Sequence, residues 1–293
     1  MEWLCGLHRT SAIYKAQIPV RSLEMLTVSL LLPTRKLSTI EPAVWEPLTA
    51  SKSLRQIVVV VDAKEDAVER KAFDALSRNH SQWRWNLLFT NESPGFASAL
   101  NLGIEHVSEP LTARQDDDDV SSTDRIDLQS AEFDRDPTLI LLGGHLRYLR
   151  GNRFQIRRYP TAFKEVLGTL PYENPFAHPT VMIRTDILRE LRYSTMQWYC
   201  SDYDLWIRAR SRGVMRNLDR ALATYRIKTK EELTRFEHGA VFRAHAKLKW
   251  NHRRILVPQG KAHRFYALIL AEYLFSATPR FFYRWFYARF LYP

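Results

Sequence analysis

The chain has 293 residues, with 43 Lys and Arg against 32 Asp and Glu, a formal net charge of +11. With 45% hydrophobic and 26% charged residues it can bury a core, which excludes an intrinsically disordered chain and leaves one large domain or one domain with an appendage. Two cysteines, Cys5 and Cys200, exclude a disulfide framework and any CxxC metal spacing.

The first 24 residues mix charges among apolar positions and read as an extension without the continuous apolar region of a signal peptide. "LTVSLLLPTR" (26–35) is a continuous apolar run, as expected of a strand buried on both faces. "EPAVWEPLTASKSL" has helix-like spacing that Pro47 interrupts. "IVVVVDA" (57–63) is a second buried strand, and "DAVERKAFDALSRN" (66–79) is an amphipathic helix with Val68, Phe73 and Leu76 on one face. "RWNLLFTN" (84–91) is a third strand, and a helix over 95–107 follows Pro94-Gly95. Alternating strands and helices predict an α/β fold with a mostly parallel central sheet. After "DDDD" (116–119) a helix with Ser122 or Thr123 as N-cap is expected, then two strands around Arg150-Gly151-Asn152, a strand at "HPTVMIR", a helix from Ser201 to Gly213, and a closing strand at "ALATYRI". From about Lys230 only helices are predicted. The expected divisions are therefore an extension (1–24), an α/β domain (25–229) and a basic, aromatic-rich helical region (230–293).

Ligands of open α/β sheets bind beyond the carboxyl ends of the strands. Those ends carry Thr34 and Arg35, Asp62, Asn91 through Gly95, and Asp116–Asp119. No GxGxxG follows the first strand and no GxxxxGK[ST] is present, which excludes a dinucleotide fingerprint and a P-loop. Aspartates holding Mg²⁺ or Mn²⁺ are another way to meet phosphate charge. Asp116 and Asp118, one residue apart, point the same way if the segment is extended. Taken alone, four aspartates more commonly mark a solvated acidic loop or a helix N-terminus.

Six stretches together resemble glycosyltransferase family 2, the inverting GT-A enzymes that use nucleotide-sugars. They are "TVSLLLPTR", "IVVVVDA", "NESPGFASALNLGIEH", "ARQDDDDVSSTDRIDLQ", "NPFAHPTVMIRTDIL" and "SDYDLWIRARSRGVMRNL…YRI", in family order over about residues 26–228. The resemblance implies a GT-A sheet and metal-dependent, inverting hexosyl transfer from a nucleotide-sugar, UDP-linked by expectation. It implies a glycan or lipid-linked acceptor in surface polysaccharide biosynthesis. Thr34, Asp62 and Gly95 would contact the nucleotide. Asp116 and Asp118 would form the DXD pair touching ribose and Mn²⁺ or Mg²⁺, with Asp117 beside the ribose. Asp119 would support the loop, Arg114 would balance the acids, and Asp202 would be the catalytic base. His178 would lie on the acceptor side, while Asp204 is expected to be structural. Four positions depart from the family pattern: Arg35-Lys36 for Tyr-Asn, Ala63 for Gly, Ser201 for Glu, and Lys228 where many relatives have His.

Residues 265–293 hold twelve of the thirty-six aromatics, interleaved with Arg280, Arg284 and Arg289. That composition suits an anionic membrane surface, and equally a helix packed on the catalytic domain. No apolar stretch reaches the ~20 residues of a spanning helix. The expected setting is cytoplasmic, peripheral to the inner face of a membrane. No nucleic-acid module is visible, so no nucleic-acid partner is expected. Two rival functions are a sugar-phosphate nucleotidyltransferase, disfavoured because no Gly-rich basic loop follows the first strand, and a catalytically inactive binding or membrane-scaffold protein.

Overall fold

A computed structural model describes residues 25–91, 94–150, 153–197, 199–226 and 238–276. The 1–24 extension, residues 151–152, Lys228, the expected boundary near 230 and the segment 277–293 lie outside the described residues. The strands are β1 (Val28–Thr34), β2 (Leu54–Val61), β3 (Arg84–Phe89), β4 (Leu111–Arg114), β5 (Asp119–Ser121), β6 (Leu139–Arg150), β7 (Arg153–Arg157), β8 (Met182–Arg184) and β9 (Val214–Arg226). They form one sheet in the order β3-β2-β1-β4-β8-β6-β9-β5, with β7 beside β6. β1 to β4 are mutually parallel, and β6 and β9 share their direction. β5, β7 and β8 run the other way. The sheet is therefore mostly parallel, as the strand–helix alternation requires.

The continuous apolar runs have a simple cause: both sheet faces are covered. Leu31, Val58 and Val60 face Ala99, Leu100 and Ile104 of helix α3 (Phe96–His106). Leu30, Leu32, Ile57, Val59 and Val61 face the opposite layer. That layer includes Trp45 of α1 (Pro42–Trp45), Phe73 and Leu76 of α2 (Ala67–Asn79), and Ile126 and Phe133 of α4 (Arg125–Arg135). Helix α3 lies so close to the sheet that a Cβ on Gly103 would sit 2.3 Å from the Leu31 side chain. Pro47 does interrupt its helix: α1 stops at Trp45 and a 3-10 turn spans Glu46–Ala50.

Three local expectations are corrected. Val68 is exposed and off the buried face of α2; Glu69 takes its place, accepting hydrogen bonds from Ser38 N (2.9 Å) and Ser38 Oγ (2.8 Å). Helix α4 begins after Asp124 rather than at Ser122 or Thr123, because Ser121 is drawn into β5 and Ser122 N donates to Leu222 O of β9. The helix predicted to reach Gly213 stops at Ala209, and β9 begins at Val214.

Three further helices complete the α/β region: α5 (Phe163–Thr169), α6 (Thr185–Leu191) and α7 (Ser201–Ala209). Beyond it, α8 (His238–Asn251), the short α9 (Arg253–Leu256) and α10 (Ala262–Ser276) form a helical hairpin. Leu248, Leu256 and Phe265 share one core with Tyr203 and Trp206 of α7. Within the hairpin, Lys249 Nζ donates to Glu272 in a buried ion pair.

Candidate active site

The parallel register sets one wall of the site. Thr34 ends β1 opposite Val61 at the end of β2, so Asp62 emerges beside it and its N–H donates to Thr34 O at 2.7 Å. The Asp62 carboxylate accepts from Thr90 Oγ1 (2.9 Å) and from Gly95 N (2.8 Å). Asp62 thus fixes the entry to α3. Gly95, the N-cap of that helix, has φ +134°, a backbone conformation open to glycine and strained for other residues. Thr34 Oγ1 donates to Asp117 Oδ2 at 2.6 Å, tying β1 to the acidic segment.

The acidic segment is not extended. Asp117 and Asp118 form a turn between β4 and β5, so the alternation expected for Asp116 and Asp118 does not apply. Thr34, Asp62, Gly95, Asp116 and Asp117 line one cleft of about 750 Å³, together with Phe96 and Thr195. Asp118 lines a smaller cavity on the other side of the turn, with Asp117, Glu41 and Arg226.

Beneath the turn lies a buried charge cluster. Arg114 Nη2 is 2.5 Å from Asp116 Oδ1, and its guanidinium sits 5.1 Å from the centre of the Phe96 ring. Arg125 is fully buried; it donates to Gln115 (3.1 Å), Ser121 (2.9 Å), Gln129 (3.1 Å) and Arg114 O (2.7 Å). The sequence assigned no role to this network, although Arg125 and Gln129, spaced i, i+4 on a helix, close one of the stretches that carry the family resemblance. Asp119 is also buried, and neither of its carboxylate oxygens has a hydrogen-bond partner. Burial, with Asp116 and Asp118 nearby, pushes its carboxyl up to about 8.

Asp202, in the first turn of α7, lies outside the residues that line this cleft. Its Oδ2 accepts from Asn174 Nδ2 at 2.7 Å. Burial raises its pKa, while the hydrogen bonds from Tyr203 N–H and Asn174 and the nearby charge of Arg114 oppose the rise. That interaction links it electrostatically to the Arg114–Asp116 pair at the cleft. Asp204 faces away, accepting from Arg208 Nε (2.7 Å) and pairing with His252 Nε2 (2.8 Å). Burial works against its ionised form, but His252 and Arg208 outweigh burial and hold the carboxyl below its usual value. It anchors α7 to the helical hairpin.

His178 Nε2 lies 2.8 Å from Tyr193 Oη, with Phe96 and Trp206 packed edge-on. Burial, reinforced by Arg114, lowers its pKa well below the ordinary value, so the ring is neutral. Asn101 clamps the Tyr193 backbone with two 2.8 Å hydrogen bonds. The sequence assigned no role to Asn174, Tyr193 or Asn101, although Asn101 and Asn174 lie within two of the stretches that carry the family resemblance. Among the described residues no three His, Cys, Asp or Glu side chains converge as a preformed metal site.

Residues 33–192 match the family model described as Glycosyl transferase family 2. The O-antigen biosynthesis glycosyltransferase WbnJ of Escherichia coli is 31% identical over 49% of this chain and 58% of its own length. The amylovoran biosynthesis glycosyltransferase AmsE of Erwinia amylovora is 28% identical over 41% of this chain and 45% of its own length. The chain thus spans about half the length of these curated relatives. Among solved structures, the mannosyltransferase PcManGT from Pyrobaculum calidifontis, in complex with GDP-Man and Mn²⁺, superposes with a TM-score of 0.60 at 13% identity, covering 87% of this chain and 76% of that one. That likeness shows the GT-A fold, and the match over more than half of the sequence shows that the chain belongs to glycosyl transferase family 2.

Proposed function

We propose that this protein is a metal-dependent, inverting glycosyltransferase. It moves a hexosyl group from a nucleotide-sugar, UDP-linked, to a glycan or lipid-linked acceptor in cytoplasmic steps of surface polysaccharide biosynthesis. The observation that carries the reading is the cleft: Thr34, Asp62, Gly95, Asp116 and Asp117 converge on it from separate elements. The relatives named for O-antigen and amylovoran synthesis support the pathway class.

Asp62 and Thr34 stand where a nucleoside would lie at the strand ends, and Asp116 and Asp117 where ribose and diphosphate would follow. The residues fit a hard divalent cation. Carboxylates crowd this corner, one of them buried and unpartnered, and a cation would relieve their repulsion. Asp116, which lines the cleft, would hold Mn²⁺ or Mg²⁺ together with substrate phosphates, and Asp118, which lines the neighbouring cavity, would reach the same ion across the turn they share. Bound there, the ion would supply charge stabilisation to the leaving diphosphate.

Asp202 is the base. Its carboxylate accepts the proton of the acceptor hydroxyl as that oxygen bonds to the anomeric carbon and the bond to the diphosphate breaks on the opposite face. One displacement inverts the anomeric centre. Asn174 holds Asp202 and favours its ionised form, while neutral His178, positioned by Tyr193, lies on the acceptor side. The test is turnover of UDP- and GDP-sugars with the product anomer read by NMR. Products of inverted configuration, formed by wild type and lost in Asp202→Asn, support the reading. Retained configuration, or full activity in Asp202→Asn, overturns it.

A further inference from the structure

The helical hairpin has an outer face that the proposed chemistry does not use. Helix α10 buries Phe265 and Glu272, while Tyr266, Leu270, Tyr273 and Leu274 are exposed, the last three at 58, 61 and 62%. The spacing of four, three and one residues puts them on one stripe of the helix. Trp250 of α8 is exposed beside Tyr266, at 6.4 Å between ring centroids, and Arg253 lies over its ring at 4.5 Å. Seven of the fifteen exposed large hydrophobic residues described fall between Trp250 and Phe275.

The charge of the hairpin has one sign. Residues 238–276 contain seven Lys and Arg and a single acid, Glu272. That acid is buried against Lys249, so it neutralises nothing outside. Arg243, Lys247, Arg254, Lys261 and Arg264 are all exposed. The sequence beyond the hairpin, from Thr278, adds three arginines, eight aromatics and no acid. An apolar stripe among cations alone is complementary to a lipid surface with anionic headgroups. Among the described residues no helix is long and apolar enough to cross a membrane.

We propose that the outer face of α8–α10 is a docking surface for an anionic bilayer, seated through Leu270, Tyr273 and Leu274. Arg254 and Arg264 contact headgroups. Because His252 of the hairpin holds Asp204 of α7, docking also fixes the helix that carries Asp202 to the membrane-bound element. The proposal stands on exposure and charge and is independent of the donor chemistry above.

The test is co-sedimentation of the full chain with vesicles of phosphatidylcholine alone and of phosphatidylcholine with phosphatidylglycerol. Wild type should bind the anionic vesicles and lose binding as salt rises. Leu270→Gln with Leu274→Gln should weaken vesicle affinity by about tenfold or more. Arg254→Gln with Arg264→Gln should lose about fivefold per charge, on anionic vesicles only. These side chains are exposed, so thermal unfolding of the variants should match wild type and report correct folding. Unchanged binding in the Leu270/Leu274 variant overturns the proposal. So does a wild type that ignores vesicles, either because it forms a dimer that this variant dissociates or because it stays monomeric with the face covered by its own residues 277–293.

Discussion

The two walls of the candidate site, the cleft and the α7 cluster outside its lining, are built differently. On the β1–β2–α3 side, each polar group sits at the carboxyl end of a parallel strand, and the ladder register alone brings Thr34 and Asp62 together. On the α7 side, Asn174, His178, Tyr193 and Asp202 lie in loops, a 3-10 turn and a helix start. Side-chain contacts position them: Asn101 on the Tyr193 backbone, Arg208 on Asp204 and the carbonyl oxygens of Leu191 and Arg192, and His252 on Asp204. Topology places the first wall, whereas packing places the second. The first should therefore tolerate changes that leave the strands intact, and the second should respond to single hydrogen bonds.

The largest expected effect separates chemistry from binding. Asp202→Asn should lower kcat by about 10²–10⁴-fold, the range for losing a general base, while nucleotide affinity measured by calorimetry stays at the wild-type level. Equal loss of both would mean that the two walls are not separable. Gly95→Ala acts on the opposite wall. A Cβ at φ +134° should cost about 1–3 kcal/mol in urea denaturation and weaken nucleotide binding, leaving the acid limb of the pH–rate profile in place.

That limb is the next test. Asp202 must be ionised to accept a proton, and burial raises its pKa above the ordinary 3.8, so kcat/KM should fall as pH drops through that raised value. Asn174→Ala removes a hydrogen bond that favours the carboxylate. The acid limb should then move to higher pH, while nucleotide affinity at neutral pH is unchanged. A limb that stays in place would remove Asn174 from the site. The smallest effect lies away from both walls: Val68→Ser should change stability by less than about 0.5 kcal/mol, because Val68 is exposed rather than on the buried face of α2.

The sequence made the first wall legible for a physical reason. Buried parallel strands read as continuous apolar runs, and their ends read as the polar residues that stop them: Thr34 after "SLLLP", Asp62 after "IVVVV". It failed where backbone geometry depends on a distant partner. The pairing of β5 with β9 makes Asp117–Asp118 a turn and defeats the alternation expected of an extended segment. The same pairing moves the start of α4 to Arg125. Asp202 could be named from its resemblance, but its hydrogen bond to Asn174, 28 residues away, depends on a loop with no periodic signal. Amphipathic spacing suggested Val68, yet only the Ser38–Glu69 contact shows which face of α2 is buried. The hairpin's basic charge was plain in composition, whereas its exposed apolar stripe emerges only from how α10 packs on α8.

Calorimetric titration of UDP and GDP, with and without Mn²⁺, on wild type and Asp118→Ala decides whether the cleft is a metal-dependent nucleotide site. UDP should bind only with Mn²⁺ and lose binding in the variant. Binding of GDP alone with the same dependence would keep the site and change the donor. Failure of every nucleotide to bind in the presence of metal would contradict that reading and leave the four aspartates as a charge cluster beside an unused cleft.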